Sequence, residues 1–257
     1  MKLNTDIRTG NILFIVEGSK TEFVLLRKIF CNILHFTYIE KRRTKIKHFI
    51  KENDSYSKIA VINTRESNIS DITKKQDYLE EVFKYLINEC SFPVDDCAIF
   101  YLFDRDYDSN TDENLIKEYI TELKNPYENK NYKAGQLLLS YPSIESFIVT
   151  CFENDVFSIN QNLSDDEKIR IGAELKTCIG KSKEIQLNKL DSAALLHATD
   201  EFLKYLQNEN IELNIDDFSS ANMEIFNKQE IRYTTQKYYI LFSMLTLAFL
   251  QLNIIEL

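Results

Sequence analysis

The run Asn11-Ile12-Leu13-Phe14-Ile15-Val16-Glu17-Gly18 decides the architecture. Its unbroken apolar stretch is too short for a helix and lacks the polar alternation of a half-solvated strand, so it reads as a strand covered on both faces. Glu17-Gly18 closes it, and Phe23, Leu26, Ile29, Phe30 and Ile33 then recur at helical spacing. The unit is a strand, a glycine-assisted turn and a helix. Similar units follow. A second strand is expected at Lys58 to Asn63, then a polar segment and a helix over about Asp71 to Glu89. A third strand, Cys97 to Phe103, precedes a helix that opens at Thr111-Asp112-Glu113 and runs to about Lys124. A fourth, Gln136 to Ser140, precedes a helix from Ser143 to Cys151. Strands and helices alternating in this way predict right-handed crossovers. The expected fold class is therefore α/β, with a mainly parallel sheet flanked by helices over residues 1–152. Residues 153–257 show helical spacing at Leu195, Leu196, Phe202, Leu203 and Leu206, and again from Tyr239 onward, without a strand series. They read as a C-terminal helical subdomain.

Composition narrows the class. With 5 Gly and 3 Pro among 257 residues, long helices and short loops are favoured over a sandwich or barrel. Cys31, Cys90, Cys97, Cys151 and Cys178 are scattered and odd in number, with no C-x-x-C and no secretory leader in the first residues. Reduced thiols in the cytoplasm are the expectation. Neither these nor His35, His48 and His197 show zinc-ligand spacing. The net charge of -9 argues against a protein that coats nucleic acid non-specifically, because such affinity comes from lysine and arginine displacing counterions. Any nucleic-acid contact must be local. Lys41, Arg42, Arg43, Lys45 and Lys47, with Lys51 soon after, form the one basic stretch; it reads as a substrate patch, as a solvated helix face, or as counter-charge for an acidic site. The apolar run Tyr238 to Leu252 is shorter than a bilayer-spanning helix, which takes roughly twenty residues, and reads as a buried helix or a dimer interface.

Acidic residues follow three of the four expected strands. Glu17 ends the first, Asp104, Asp106 and Asp108 follow the third in Phe-Asp-Arg-Asp-Tyr-Asp, and Glu145 lies just past the fourth. Ligands of open α/β sheets gather at these carboxyl ends. Each piece has a plain alternative: Glu17 can cap the next helix, the D-x-D can be a solvated turn, and Glu145 can decorate a first turn. Together they form the donor set of a hard divalent cation such as Mg²⁺ or Mn²⁺, one ion or two. Lys20 and Arg105 are placed to meet phosphate or to pair with neighbouring carboxylates. No G-x-x-x-x-G-K-[ST] loop is present, so ATP hydrolysis by a P-loop is excluded.

Ile15-Val16-Glu17-Gly18-Ser19-Lys20-Thr21-Glu22, followed by Asp104-Arg105-Asp106, resembles the Toprim domain of topoisomerases, primases and OLD-type nucleases. With Asp-Arg-Asp-Tyr-Asp and Ser140-Tyr-Pro-Ser-Ile-Glu-Ser-Phe147, the chain is similar to RloB-like proteins and AriB-like nucleases of bacterial phage defence. The resemblance covers roughly Ile12 to Cys151. It implies that Glu17 is a metal ligand or general acid-base, that Asp104 and Asp106 are the D-x-D ligands, and that Glu145 completes the site or serves a second ion, with Asp108 as a further ligand. It implies a Mg²⁺-dependent endonuclease acting on RNA such as tRNA, or on DNA, as a toxic effector released by a partner ATPase or phage-encoded trigger. A homo-oligomer, as a dimer, is expected, with no membrane association. The 14 tyrosines include none in a topoisomerase context. Two alternatives stay open: a non-catalytic regulatory or assembly subunit on the same scaffold, and a primase-like nucleotidyl transferase.

Overall fold

The computed structural model describes residues 1–18, 20–40, 46–52, 54–63, 78–94, 96–105, 110, 112–127, 134–159 and 187–257. In chain order, β1 (Lys2–Leu3) and β2 (Asn11–Val16) lead into α1 (Thr21–Lys28), which continues as a π-helical turn over Ile29–Ile33. Next come β3 (Phe36–Ile39), β4 (Lys47–Lys51), β5 (Asp54–Asn63), α2 (Tyr78–Cys90), β6 (Cys97–Asp104), α3 (Glu113–Glu122), β7 (Lys124–Asn125) and β8 (Gly135–Tyr141). The remainder is α4 (Glu145–Thr150), α5 (Val156–Ile159), α6 (Ser192–Asn208), α7 (Ser219–Gln236), β9 (Phe242–Ser243), α8 (Leu245–Gln251) and β10 (Ile255–Glu256). No helix among the described residues is long and apolar enough to cross a membrane.

The eight-stranded sheet is ordered β3-β4-β5-β2-β6-β8-β7, with β9 beside β8. Its centre, β5-β2-β6-β8, is parallel. The chain goes from β2 to β5 on one side, then crosses to β6 on the other. The crevice between the carboxyl ends of β2 and β6 is thus the topological switch point, where open α/β sheets bind ligands. The expected α/β class and parallel core are present, but the sheet is mixed. The antiparallel β3-β4-β5 meander and the antiparallel pairings of β7 and β9 with β8 extend it. Of the helix expected over Asp71 to Glu89, residues 71–77 lie outside the described residues, as does Thr111 of the next helix start. Asp112 caps α3 as read: its carboxylate accepts from the backbone N–H groups of Asn114 and Leu115.

Burial explains why β2 and β6 are almost wholly apolar. Ile12 to Val16 and Ala98 to Phe103 are all at most 1 % exposed. Phe14 stacks on Phe100 of the neighbouring strand and meets Phe30 of the π turn, which in turn packs on Phe49 of β4. Each such side chain contributes roughly 1.5 to 3 kcal/mol when fully buried. The carboxy-terminal half joins the same apolar cluster, which extends to Ile255. Phe242 stacks between Phe202 and Tyr205 of α6, Ser243 Oγ hydrogen-bonds Ser140 Oγ at 2.8 Å, and Asn222 of α7 donates to the Leu137 carbonyl of β8 at 3.0 Å. The apolar run Tyr238 to Leu252 is buried as expected, although it is a two-residue strand and a short helix rather than one helix. β1 and β10 pair antiparallel and bring the two ends of the chain together.

Candidate active site

Glu17 and Asp104 stand side by side because β2 and β6 are neighbours in register. The Glu17 backbone N–H donates to the Leu102 carbonyl at 3.2 Å, and the Asp104 backbone N–H donates to Glu17 Oε2 at 2.8 Å. Asn110 fastens both: its Nδ2 donates to Glu17 Oε2 at 3.3 Å and to the Asp104 carbonyl at 2.7 Å. Glu145 comes from the next parallel strand's exit. Ile144, one residue before it, donates its backbone N–H to Asp104 Oδ1 at 2.8 Å.

A fourth carboxylate enters from α1. Glu22 is 6 % exposed in the first helical turn, and its Oε1 accepts the Gly18 N–H at 3.0 Å. Gly18 makes room for it: a Cβ there would lie 2.5 Å from Glu22 Oε2. Glycine at this turn therefore serves a close approach rather than a positive φ. Together Gly18, Lys20, Thr21, Glu22, Asp104, Ile144 and Glu145 line a cleft of about 300 Å³. The amino-terminal end of α1 opens onto it, so partial positive charge from the helix backbone faces the carboxylates.

Asp104 reports the electrostatics. Burial, followed by the charges of Glu17, Glu22 and Glu145, raises its pKa well above the ordinary carboxylate range, against the opposing hydrogen bond from Ile144. A proton or a cation relieves that crowding. The donor set is entirely carboxylate oxygen, the chemistry that Mg²⁺ and Mn²⁺ select. Among the described residues, however, no group of three His, Cys, Asp or Glu side chains is arranged to hold a metal ion.

The sequence-predicted residues fare differently. Glu17, Asp104 and Glu145 are brought together, and Lys20 lies exposed on the rim of the same cleft. Asp106, Asp108, Arg42, Arg43 and Lys45 lie outside the described residues. Lys47 and Lys51, the end of the basic stretch, are on β4, so that part of the stretch is a strand and not a helix face. Arg105, considered as a phosphate contact, points the other way. It is 4 % exposed and makes a two-pronged ion pair with Glu230 of α7, Nε to Oε1 at 2.9 Å and Nη2 to Oε2 at 2.7 Å. Its Nη1 donates to the Asn110 carbonyl, and Tyr239 Oη donates to Glu230 Oε1 at 3.0 Å. Burial opposes the guanidinium charge, but Tyr239 and Glu230 outweigh it and raise its pKa.

The sequence pattern alone does not single out Glu22 or Asn110 as site residues. Glu22 had a signal, since it stands one turn into the helix that follows Glu17 and belongs to the same motif. Asn110 had none beyond being polar. The class defined by fold and site is an α/β protein with an acidic cleft at the switch point of a mixed sheet. No family model, curated protein or solved structure matches the chain.

Proposed function

We propose that the chain is a Toprim-type, divalent-metal-dependent nuclease that hydrolyses phosphodiester bonds of RNA such as tRNA, or of DNA, in the cleft between β2 and β6. One observation carries this reading: Glu22 of α1, Asp104 of β6 and Glu145 of α4 line one cleft at the switch point, Glu17 at the end of β2 is hydrogen-bonded beside them, and burial together with these charges raises the pKa of Asp104. Crowding of like charge is costly to maintain and recurs where a function requires it. Glu17, Asp104 and Asp106 would hold the ion, with Glu145, Glu22 and Asp108 completing its surroundings. Bound there, Mg²⁺ or Mn²⁺ supplies charge neutralisation at a phosphate oxygen and lowers the pKa of a water.

The chain's own groups do the rest. Asn110 and the Asp104 N–H fix Glu17 Oε2, and the Ile144 N–H fixes Asp104 Oδ1, so two carboxylates are oriented before substrate arrives. Lys20 and the first turn of α1 present positive charge where a scissile phosphate would lie. Arg105 acts by holding Asn110 in place and does not touch substrate. Release by a partner ATPase or phage trigger, assembly as a dimer, and a cytoplasmic defence role rest on the sequence resemblance.

The test is incubation of the purified protein with tRNA, plasmid and single strands in Mg²⁺ or Mn²⁺, beside Glu17→Gln and Asp104→Asn. Cleavage by the parent alone is expected; equal cleavage by folded variants would reject the site. A second reading is a regulatory or assembly subunit without catalysis on the same scaffold. It predicts no metal binding by the parent.

A further inference from the structure

The face of α1 beyond the acidic cleft has a different character. Side chains four residues apart on a helix lie one above another, so Phe23 and Arg27 share a stripe, and Lys28 lies beside it. This stripe and the edge strand β3 border a groove of about 700 Å³. Aromatic and cationic side chains meet on it: Phe23, Arg27, Lys28, Phe36 and Tyr38 line it, and Lys47 of β4 adjoins it through Phe23. The Arg27 guanidinium lies over the Tyr38 ring at 4.8 Å, Lys47 of β4 lies over the Phe23 ring at 5.1 Å, and the Phe23 and Tyr38 rings are 5.7 Å apart. Arg27 is exposed, Phe23, Lys28, Tyr38 and Lys47 are half-buried, and Lys28 Nζ donates to Asn188 Oδ1 at 2.9 Å. Glu40 is the only carboxylate among the described residues that line the groove. In a chain of net charge -9 this is a local reversal of sign.

We propose that this groove binds a single strand of nucleic acid and leads it to the acidic cleft. Both ends of the path lie on one element: Thr21 and Glu22 line the cleft, and Phe23 and Val24, the next residues, line the groove. The described α1 helix spans about 12 Å from end to end. Unpaired bases stack on aromatic rings and on flat guanidinium groups, while the backbone takes the cations; a duplex hides its base faces and gains only the second. Arg27, with its guanidinium over the Tyr38 ring, serves either contact. Lys47 adds charge beside Phe23. The protein's low overall basicity then restricts binding to this track. The assignment deepens the nuclease reading, because it places the substrate strand relative to the same cleft.

The experiment is fluorescence anisotropy of labelled oligo-dT, oligo-U and a blunt duplex with the full chain in EDTA, so that carboxylate chemistry takes no part. Single strands bind more tightly than duplex and weaken as salt rises, and the dT and U arms decide between DNA and RNA. Arg27→Glu and Lys47→Glu each lower single-strand affinity by about tenfold and flatten the salt dependence. Glu40→Lys raises affinity, a gain that a misfolded protein cannot give. The proposal is overturned by parental affinity in both charge-reversal variants, by absence of single-strand binding, or by equally tight binding of polyglutamate. The two readings fail separately. Groove binding that survives in a chain shown to bind no metal supports the groove and removes the nuclease. Cleavage by Arg27→Glu at the parental rate keeps the nuclease and removes the groove.

Discussion

Asp104 and Arg105 are adjacent at the end of β6, both are drawn into the protein, and their surroundings are opposite. Arg105 meets Glu230 in a two-pronged pair, with Tyr239 Oη also donating to that carboxylate. Asp104 meets three further carboxylates. Arg105 is thus held by complementary charge, as buried structural ions are. Asp104 is held by backbone geometry against the cost of burial and the repulsion of its neighbours. The difference separates a charge that stabilises the fold from a charge that the fold tolerates. Asn110 joins the two: it receives Arg105 at its carbonyl and fastens Glu17 and Asp104 with its amide. The ion pair on the C-terminal side is therefore the support of the acidic cleft.

The largest effect should come from breaking the support. Glu230→Ala leaves Arg105 buried without its main partner and should cost about 3 to 5 kcal/mol in urea unfolding, whereas replacing both partners together, as Arg105→Met with Glu230→Leu, should cost far less. An equal loss in the two cases would mean that the pair is not the unit described here. Asp104 should respond in the opposite direction. Asp104→Asn keeps an acceptor for the Ile144 N–H and removes the repelled charge, so the metal-free protein should gain about 1 to 2 kcal/mol. A smaller stabilisation than this, or any loss, would argue against repulsion at the site.

The pH dependence of that gain has a fixed sign. A carboxylate whose folded-state pKa is raised is most favourable to stability when protonated, below its unfolded pKa of about 3.9. Stability is lost as pH rises from there through the raised folded value, and is flat above it. Parent and Asp104→Asn should therefore agree in stability near pH 4 and diverge as pH increases, with the parent the weaker. Chemical denaturation across pH reads the difference directly. The smallest expected effect is at Gly18. Gly18→Ala forces the Glu22 carboxylate away and loses one hydrogen bond, about 1 kcal/mol of stability. A crystal structure showing Glu22 unmoved would refute the close-approach account of this glycine.

Much of this geometry was legible in the chain. Strands buried on both faces must be apolar throughout, so β2 and β6 announce themselves, and the residues that end them are the first polar groups after the core. That is why Glu17, Asp104 and Glu145 could be placed together without coordinates. The antiparallel pairing of β3 with β4 was not legible, since Phe36–Ile39 is four residues long and Lys47–Lys51 falls at the end of a dense basic run. Arg105 was ambiguous for a different reason. Sequence places it beside an aspartate, but its partner, Glu230, is 125 residues away on a helix whose position depends on Phe242, Ser243 and Asn222 docking at β8. The two-residue strands β9 and β10 have no local pattern at all; their pairing is decided by tertiary packing.

The central claim is that the crowded carboxylates are there for a divalent cation. Calorimetric titration of Mn²⁺ into the parent and into Asp104→Asn, each checked for folding by circular dichroism, tests it most directly. The account predicts saturable binding to the parent, accompanied by proton release that grows as pH is lowered toward the ordinary carboxylate range, and loss of both in the variant. Heat of binding that is the same in parent and variant, or absent from the parent, would contradict it.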